Sequence, residues 1–219
     1  MGGVVECDPV SARFVVADVF DGLASIEDGS VDLVVTSPPF LALRSYLPAD
    51  HPDKGKEIGS EATPAEFVDV LLRVSAELRR VLAPHGSIAI ELGDTYAGSG
   101  GAGGDYTDNG LRAAQPPFRG SAYAKRYEAV DGRTGPGRTN TGHEGWPLPK
   151  SKTLIPELYR IALAYGINPL TGQESPAGRW RVRNVVTWCR SNPPVGALGD
   201  KWRPATSDVV VACVSDKRY

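Results

Sequence analysis

The sequence predicts an α/β domain on an open, largely parallel sheet with helices on both faces, interrupted by one long polar excursion. Three observations carry this. Short β-branched runs alternate with stretches whose apolar residues recur at helical spacing. One run, Val31-Asp32-Leu33-Val34-Val35, is almost continuously apolar, as strands are when both faces of a parallel sheet are covered. Between residues 98 and 152 all periodicity disappears.

Taken in order, Arg13-Phe14-Val15-Val16-Ala17 reads as a short strand ending at Asp18, after which Phe20, Leu23 and Ile26 mark a short helix. The turn Asp28-Gly29-Ser30 leads into the run at 31–35, a central strand. Thr63 before Pro64, with Glu66 following, supplies an N-cap, a proline at the first helical position and a capping box. Phe67, Val70, Leu71, Val74, Leu78, Val81 and Leu82 then line one helix face, and Pro84 and Gly86 end the helix. Ser87-Ile88-Ala89-Ile90-Glu91-Leu92 is the next strand, so strand, helix and strand predict a right-handed parallel crossover. Residues 98–152 turn to Gly, Pro, Arg, Ser and Thr with scattered aromatics. An ordinary connection is ~4–6 residues, so a segment of this length is functional or disordered. Leu154, Leu158, Ile161 and Ala162 mark a helix closing near Gly166, and residues 183–188 and 209–214 read as two more strands. The expected organisation is a catalytic α/β part at 1–97, an insertion at 98–152 and the remainder of the same domain at 153–219.

Bulk properties exclude more than they select. The 24 Lys and Arg against 26 Asp and Glu give a net charge of −2, so any nucleic-acid surface must be local. Cys7, Cys189 and Cys213 are too few and too dispersed for a disulfide framework or a spaced zinc site, and no metal is expected. No apolar run approaches the ~20 residues of a membrane span, and no signal peptide is evident, so a cytoplasmic protein is expected.

Ligands of doubly wound sheets bind beyond the carboxyl ends of the strands, which singles out Asp18, Thr36-Ser37-Pro38-Pro39-Phe40 and Gly93-Asp94-Thr95-Tyr96. Paired prolines fix their own φ and hold the preceding residue extended, so the Ser37 hydroxyl and the Pro38 carbonyl sit on a rigid backbone. Those acceptors suit an amino group, and Phe40 offers a face for an aromatic base. An exocyclic base amine is a poor nucleophile because its lone pair is conjugated into the ring. Acceptors that draw it toward tetrahedral geometry stabilise the charge that develops only in the transition state. The bare pentapeptide also reads as a turn closing a buried strand.

The surroundings favour chemistry. Ala17-Asp18, then Asp28-Gly29-Ser30 running through to Phe40, resembles the S-adenosylmethionine-dependent DNA amino-methyltransferases in which the catalytic motif precedes the cofactor loop. Leu92-Gly93-Asp94-Thr95-Tyr96-Ala97-Gly98, Arg183-Asn184-Val185-Val186-Thr187-Trp188-Cys189-Arg190-Ser191-Asn192-Pro193-Pro194 and Lys201-Trp202-Arg203-Pro204 continue the resemblance in the family's order. It implies a Rossmann-like methyltransferase sheet, S-adenosylmethionine as cofactor and duplex DNA as partner. Ser37, Pro38, Pro39 and Phe40 would form the catalytic motif, with Phe40 stacking on an extruded base. Asp18, Ser37 and Pro38 would adjoin the cofactor, Asp18 at its adenine, although an N-cap accounts for Asp18 as well. Asp94 and Tyr96 would stand at the pocket mouth or simply end their strand. Trp188 and Asn192 would line the base side, although a buried Trp is more often core. Serine before the prolines favours cytosine N4 over adenine N6 in this family. Arg112, Arg119 and Arg126, interleaved with Tyr106, Phe118, Tyr123 and Tyr127, suit phosphates and exposed bases.

One departure stands against this. Such methyltransferases carry a Phe-x-Gly-x-Gly cofactor turn after the last of these landmarks, and the present sequence stops before it. The expected consequence is an apolar sheet edge and face left open. A second polypeptide completing the cofactor site, a non-catalytic DNA-binding remnant, and an RNA or protein-amide substrate are the alternatives.

Overall fold

The computed structural model describes residues 11–43, 45–48, 50–97, 144–191, 202 and 204–216. Helix α1 (Val19–Ala24) precedes strand β1 (Val31–Thr36), and a 3-10 turn at Lys54–Lys56 leads to helix α2 (Pro64–Val81) and strand β2 (Leu82–Leu92). Helix α3 (Ile155–Tyr165) and strands β3 (Arg181–Cys189) and β4 (Thr206–Cys213) follow.

The helices form where their caps are written. At α2 both halves of the capping box close, Glu66 N–H donating to Thr63 Oγ1 at 3.2 Å and Thr63 N–H to Glu66 Oε2 at 3.1 Å. At α3 the Gly166 N–H closes the last turn on the Ala162 carbonyl at 2.8 Å, and its φ of 72° then turns the chain out of the helix. Phe67, Val68, Leu71, Leu72, Leu78 and Val81 of α2 pack with Ile155, Tyr159, Ala162 and Leu163 of α3 against Ile88, Ile90 and Leu92 of β2 and Val210 and Ala212 of β4. Burying each large apolar side chain contributes roughly 1.5–3 kcal/mol, which makes this the thermodynamic centre of the domain.

The sheet runs β1-β2-β4-β3. Strands β1 and β2 are parallel, as the strand-helix-strand order requires, whereas β4 is antiparallel to both of its neighbours. Pairing with β1 begins at Leu82, five residues before the expected strand start at Ser87, with an irregularity between the Val31↔Leu82 and Leu33↔Ser87 pairs. Gly86 permits it, since a Cβ there would stand 2.8 Å from the Val31 carbonyl oxygen.

The two faces of this sheet differ. Helix α2 contacts both α1 and α3 over one face. On the other, Leu33 is 58% exposed and Val35 72% exposed, and Val186 and Trp188 of β3 are exposed as well. Among the described residues no helix covers that face, so the expectation of helices on both faces is met on one. Strand β1 has β2 on one side and no other neighbour among the described residues. The expected strand at 13–17 is overturned: these residues lie outside any strand, and Phe14 and Val16 are almost wholly exposed. A strand needs a ladder partner, and this run has none among the described residues.

The long excursion leaves and returns through one neck. Tyr96 bridges Lys152, Ala97 N–H donates to Ser151 O at 2.8 Å, and Lys150 N–H donates to Ala97 O at 2.7 Å. Just before the return, Trp146 donates its indole N–H to Ala62 O at 2.7 Å, tying residues near 146 to the start of α2. Among the described residues no helix is long and apolar enough to cross a membrane.

Candidate active site

Because β1 and β2 are parallel, Ser37 and Glu91 come to the same end of the sheet. Alternation along β1 puts Ser37 on the face of Leu33 and Val35, and the register Val35↔Ala89 puts Glu91 on that face too. There the Ser37 hydroxyl donates to Glu91 Oε2. Arg190, immediately after β3, donates from Nη2 to Glu91 Oε1 at 3.3 Å. Glu91 is only 9% exposed, so its charge is balanced by one guanidinium and one hydroxyl rather than by bulk water. With its hydrogen committed to the carboxylate, the Ser37 oxygen keeps its lone pairs for a donor approaching from outside.

The motif that follows is fixed by packing. Pro38, Pro39 and Phe40 are half-buried, and Leu41 is fully buried as an anchor. Ala42 N–H donates to Gly59 O at 2.8 Å, closing the backbone behind Phe40. The Phe40 ring lies over Gly93. The loop beyond is clamped by Glu57, which accepts from the Tyr46 and Leu47 amides and pairs with Lys54.

The other predicted residues do not all converge on this point. Asp18 caps α1, accepting from Phe20 N–H at 2.9 Å. It lines a cavity of about 630 Å³ together with Phe20, Ile58, Glu61, Asp69 and Arg73. Burial raises the Glu61 carboxyl above its ordinary value there, and the Arg73 guanidinium stands 5.8 Å from the Phe20 ring centre. None of residues 37–40 lines that cavity.

Asp94 has a different occupation. Its Oδ1 accepts from Thr153 Oγ1 at 2.6 Å, Thr95 N–H at 2.9 Å and Ile155 N–H at 3.3 Å, and its Oδ2 from Leu154 N–H at 3.2 Å. It ties the end of β2 to the start of α3, where Leu154 is held at a left-handed φ of 60°. Tyr96 belongs to the neck of the excursion. Trp188 stands exposed on β3, three strand spacings from β1, about 14 Å, and is not core. Asn192, Arg112, Arg119 and Arg126 lie outside the described residues.

Sequence inspection singled out neither Glu91 nor Arg190 as a functional residue. The available sign was a carboxylate one residue from the end of the apolar run Ile88–Leu92, where burial demands a partner.

Comparisons with known proteins follow this geometry. The model of a DNA methylase family, covering N6 and N4 methyltransferases, matches residues 31–218. The type II methyltransferase M.SmaI of Serratia marcescens is 29% identical over 216 residues, covering 98% of this chain and 60% of that protein. M.SfiI of Streptomyces fimbriatus is 27% identical over 204 residues, covering 93% of this chain and 36% of that protein. Among solved structures, the cytosine-N4-specific PvuII DNA methyltransferase is similar over 93% of this chain and 49% of its own, with 15% identity and a TM-score of 0.49. The chain thus spans between about a third and three fifths of the length of these relatives.

Proposed function

Because this chain belongs to the N6/N4 DNA methylase family, we propose that it carries the base-handling site of an amino-methyltransferase that methylates the exocyclic N4 of cytosine in duplex DNA. The observation that carries this is the Ser37 hydroxyl held by a buried Glu91, itself paired with Arg190, at the joint end of two parallel strands.

The chemistry follows from those atoms. The amine of an extruded base donates to the Ser37 oxygen and the Pro38 carbonyl, which withdraws its lone pair from conjugation and directs it outward. Phe40 stacks on the ring. As nitrogen gains the methyl group it becomes cationic, and the acceptors stabilise that charge where it develops. One N–H proton then passes to the Ser37 oxygen while the hydroxyl's own hydrogen moves to Glu91, leaving a neutral methylamine and a protonated carboxyl. Arg190 stabilises Glu91 as the anion before transfer.

The methyl donor is proposed to be S-adenosylmethionine, which would supply an electrophilic methyl on a sulfonium, the S–C bond breaking as the N–C bond forms and the neutral thioether S-adenosylhomocysteine leaving. In the cavity at Asp18, Phe20 and Ile58 offer apolar contact beside the Asp18 carboxylate to one end of such a ligand. Asp18 and Phe20 are the residues that would hold it. The alternative is a second polypeptide segment beside the edge of β1 that is open among the described residues, in which case methyl transfer appears only when that segment is supplied.

The test is incubation of the purified protein with methyl-labelled S-adenosylmethionine and unmethylated phage DNA, followed by nucleoside analysis. N4-methyldeoxycytidine is expected. N6-methyldeoxyadenosine would move the target to adenine. DNA binding without methyl transfer or saturable cofactor binding, by calorimetry, would leave a DNA-binding subunit instead.

A further inference from the structure

We propose that Gly93 is a positioning residue, the seat on which the Phe40 ring rests and which sets where that ring meets the target base. A Cβ at Gly93 would stand within 3.0 Å of three Phe40 ring carbons, Cδ2, Cε2 and Cζ. Real Cβ atoms do not approach neighbours so closely, so any other residue moves the ring. The backbone of Gly93 is not what requires glycine, because its φ lies outside the left-handed region that Gly59, Gly166 and four other glycines occupy.

The ring alone can yield. Behind it, Gly59 at φ 94° has its Cα so close that a Cβ would stand 2.8 Å from the Phe40 carbonyl oxygen, and its own carbonyl holds the Ala42 amide at 2.8 Å. Leu41 is buried beside them. The chain at Phe40 is therefore fixed on one side by Gly59 and on the other by the Ser37–Glu91 contact. A methyl group added at Gly93 is relieved by rotating the Phe40 side chain. This inference rests on Phe40 being the base-stacking residue, and its experiment separates the two.

Labelling with 4-fluorophenylalanine gives five fluorine resonances, one for each Phe, and Phe40→Leu identifies that of Phe40. In Gly93→Ala the Phe40 resonance is expected to shift while that of Phe67, buried in the core, stays in place and reports an intact fold. Methyl transfer to unmethylated phage DNA should fall by about 10-fold or more in kcat, with KM for S-adenosylmethionine within about 2-fold. In a Phe40→Ala background the same Gly93→Ala change should cost less than about 2-fold, because the residue it acts through is gone. A stationary Phe40 resonance, or an equal cost of Gly93→Ala in both backgrounds, would overturn the proposal. A Phe40→Ala rate equal to wild type would sink the base-stacking role alone, and the fluorine resonance would still decide the seat.

Discussion

Glu91 and Asp94 stand close together at the end of β2, yet they face different parts of the molecule. Asp94 accepts from the Thr95, Leu154 and Ile155 amides and the Thr153 hydroxyl, all of them local to the junction with α3. Glu91 reaches sideways to Ser37 beyond β1 and Arg190 beyond β3. A carboxylate that satisfies backbone amides at a helix start stabilises the fold. One that holds a hydroxyl and a guanidinium from two other strand ends, as Glu91 does, has the partners that the proposed proton transfer uses. The partners, rather than the residue type or the position near the strand end, separate the two.

The sharpest way to break this comparison is Glu91→Gln, which keeps the shape and removes the proton acceptor. Methyl transfer should drop about 100-fold, within the range of a positioned acid-base group, while the thermal midpoint stays close to wild type. A rate unchanged within about 3-fold would put Glu91 in the same structural class as Asp94. Asp94→Ala should do the reverse, costing about 1–2 kcal/mol of stability as a lost cap, read as a lower urea midpoint at constant slope, with the rate per folded molecule retained. Arg190→Met should slow transfer by about 5-fold, less than the Glu91 change because this partly exposed pair is screened by solvent, and Arg190→Lys should recover most of the rate. The mildest effect belongs to the Asp94 side of the comparison, on α3. Burial pushes the Tyr159 hydroxyl up to about 12, against its ordinary 10. The unfolded chain therefore loses this proton first, and stability should fall as pH rises from about 10 to 12. Tyr159→Phe should flatten that part of the stability profile, at the expense of the hydrogen bond to Ser75.

Much of the fold was legible because its signals are local. The Thr63 and Glu66 box, the stripe from Phe67 to Val81 and the Gly166 stop each depend on residues within a turn or two. Residues 13–17 were misjudged for the opposite reason. Their β-branched composition is suited to a strand, but a ladder is made by two segments, and β1 offers no strand on that side among the described residues. The site divided in the same way. The rigidity of residues 37–40 follows from two consecutive prolines and was visible in the chain. The role of Glu91 depends on a register, Val35↔Ala89, that brings it to the face of Ser37, and no local pattern encodes that. Asp94 was left open between two uses, and its four hydrogen bonds tie it to α3.

The neck at Tyr96 and Lys152 bears on how such a protein diversifies. Both ends of the excursion are held by a bridge and by backbone hydrogen bonds at Ala97, so the sheet is indifferent to how much chain lies between them. Doubling the length of a flexible loop costs only about 0.6 kcal/mol in closure entropy. The segment between the two ends of that neck can therefore be exchanged, shortened or enlarged as a cassette while Ser37, Glu91 and Arg190 keep their contacts.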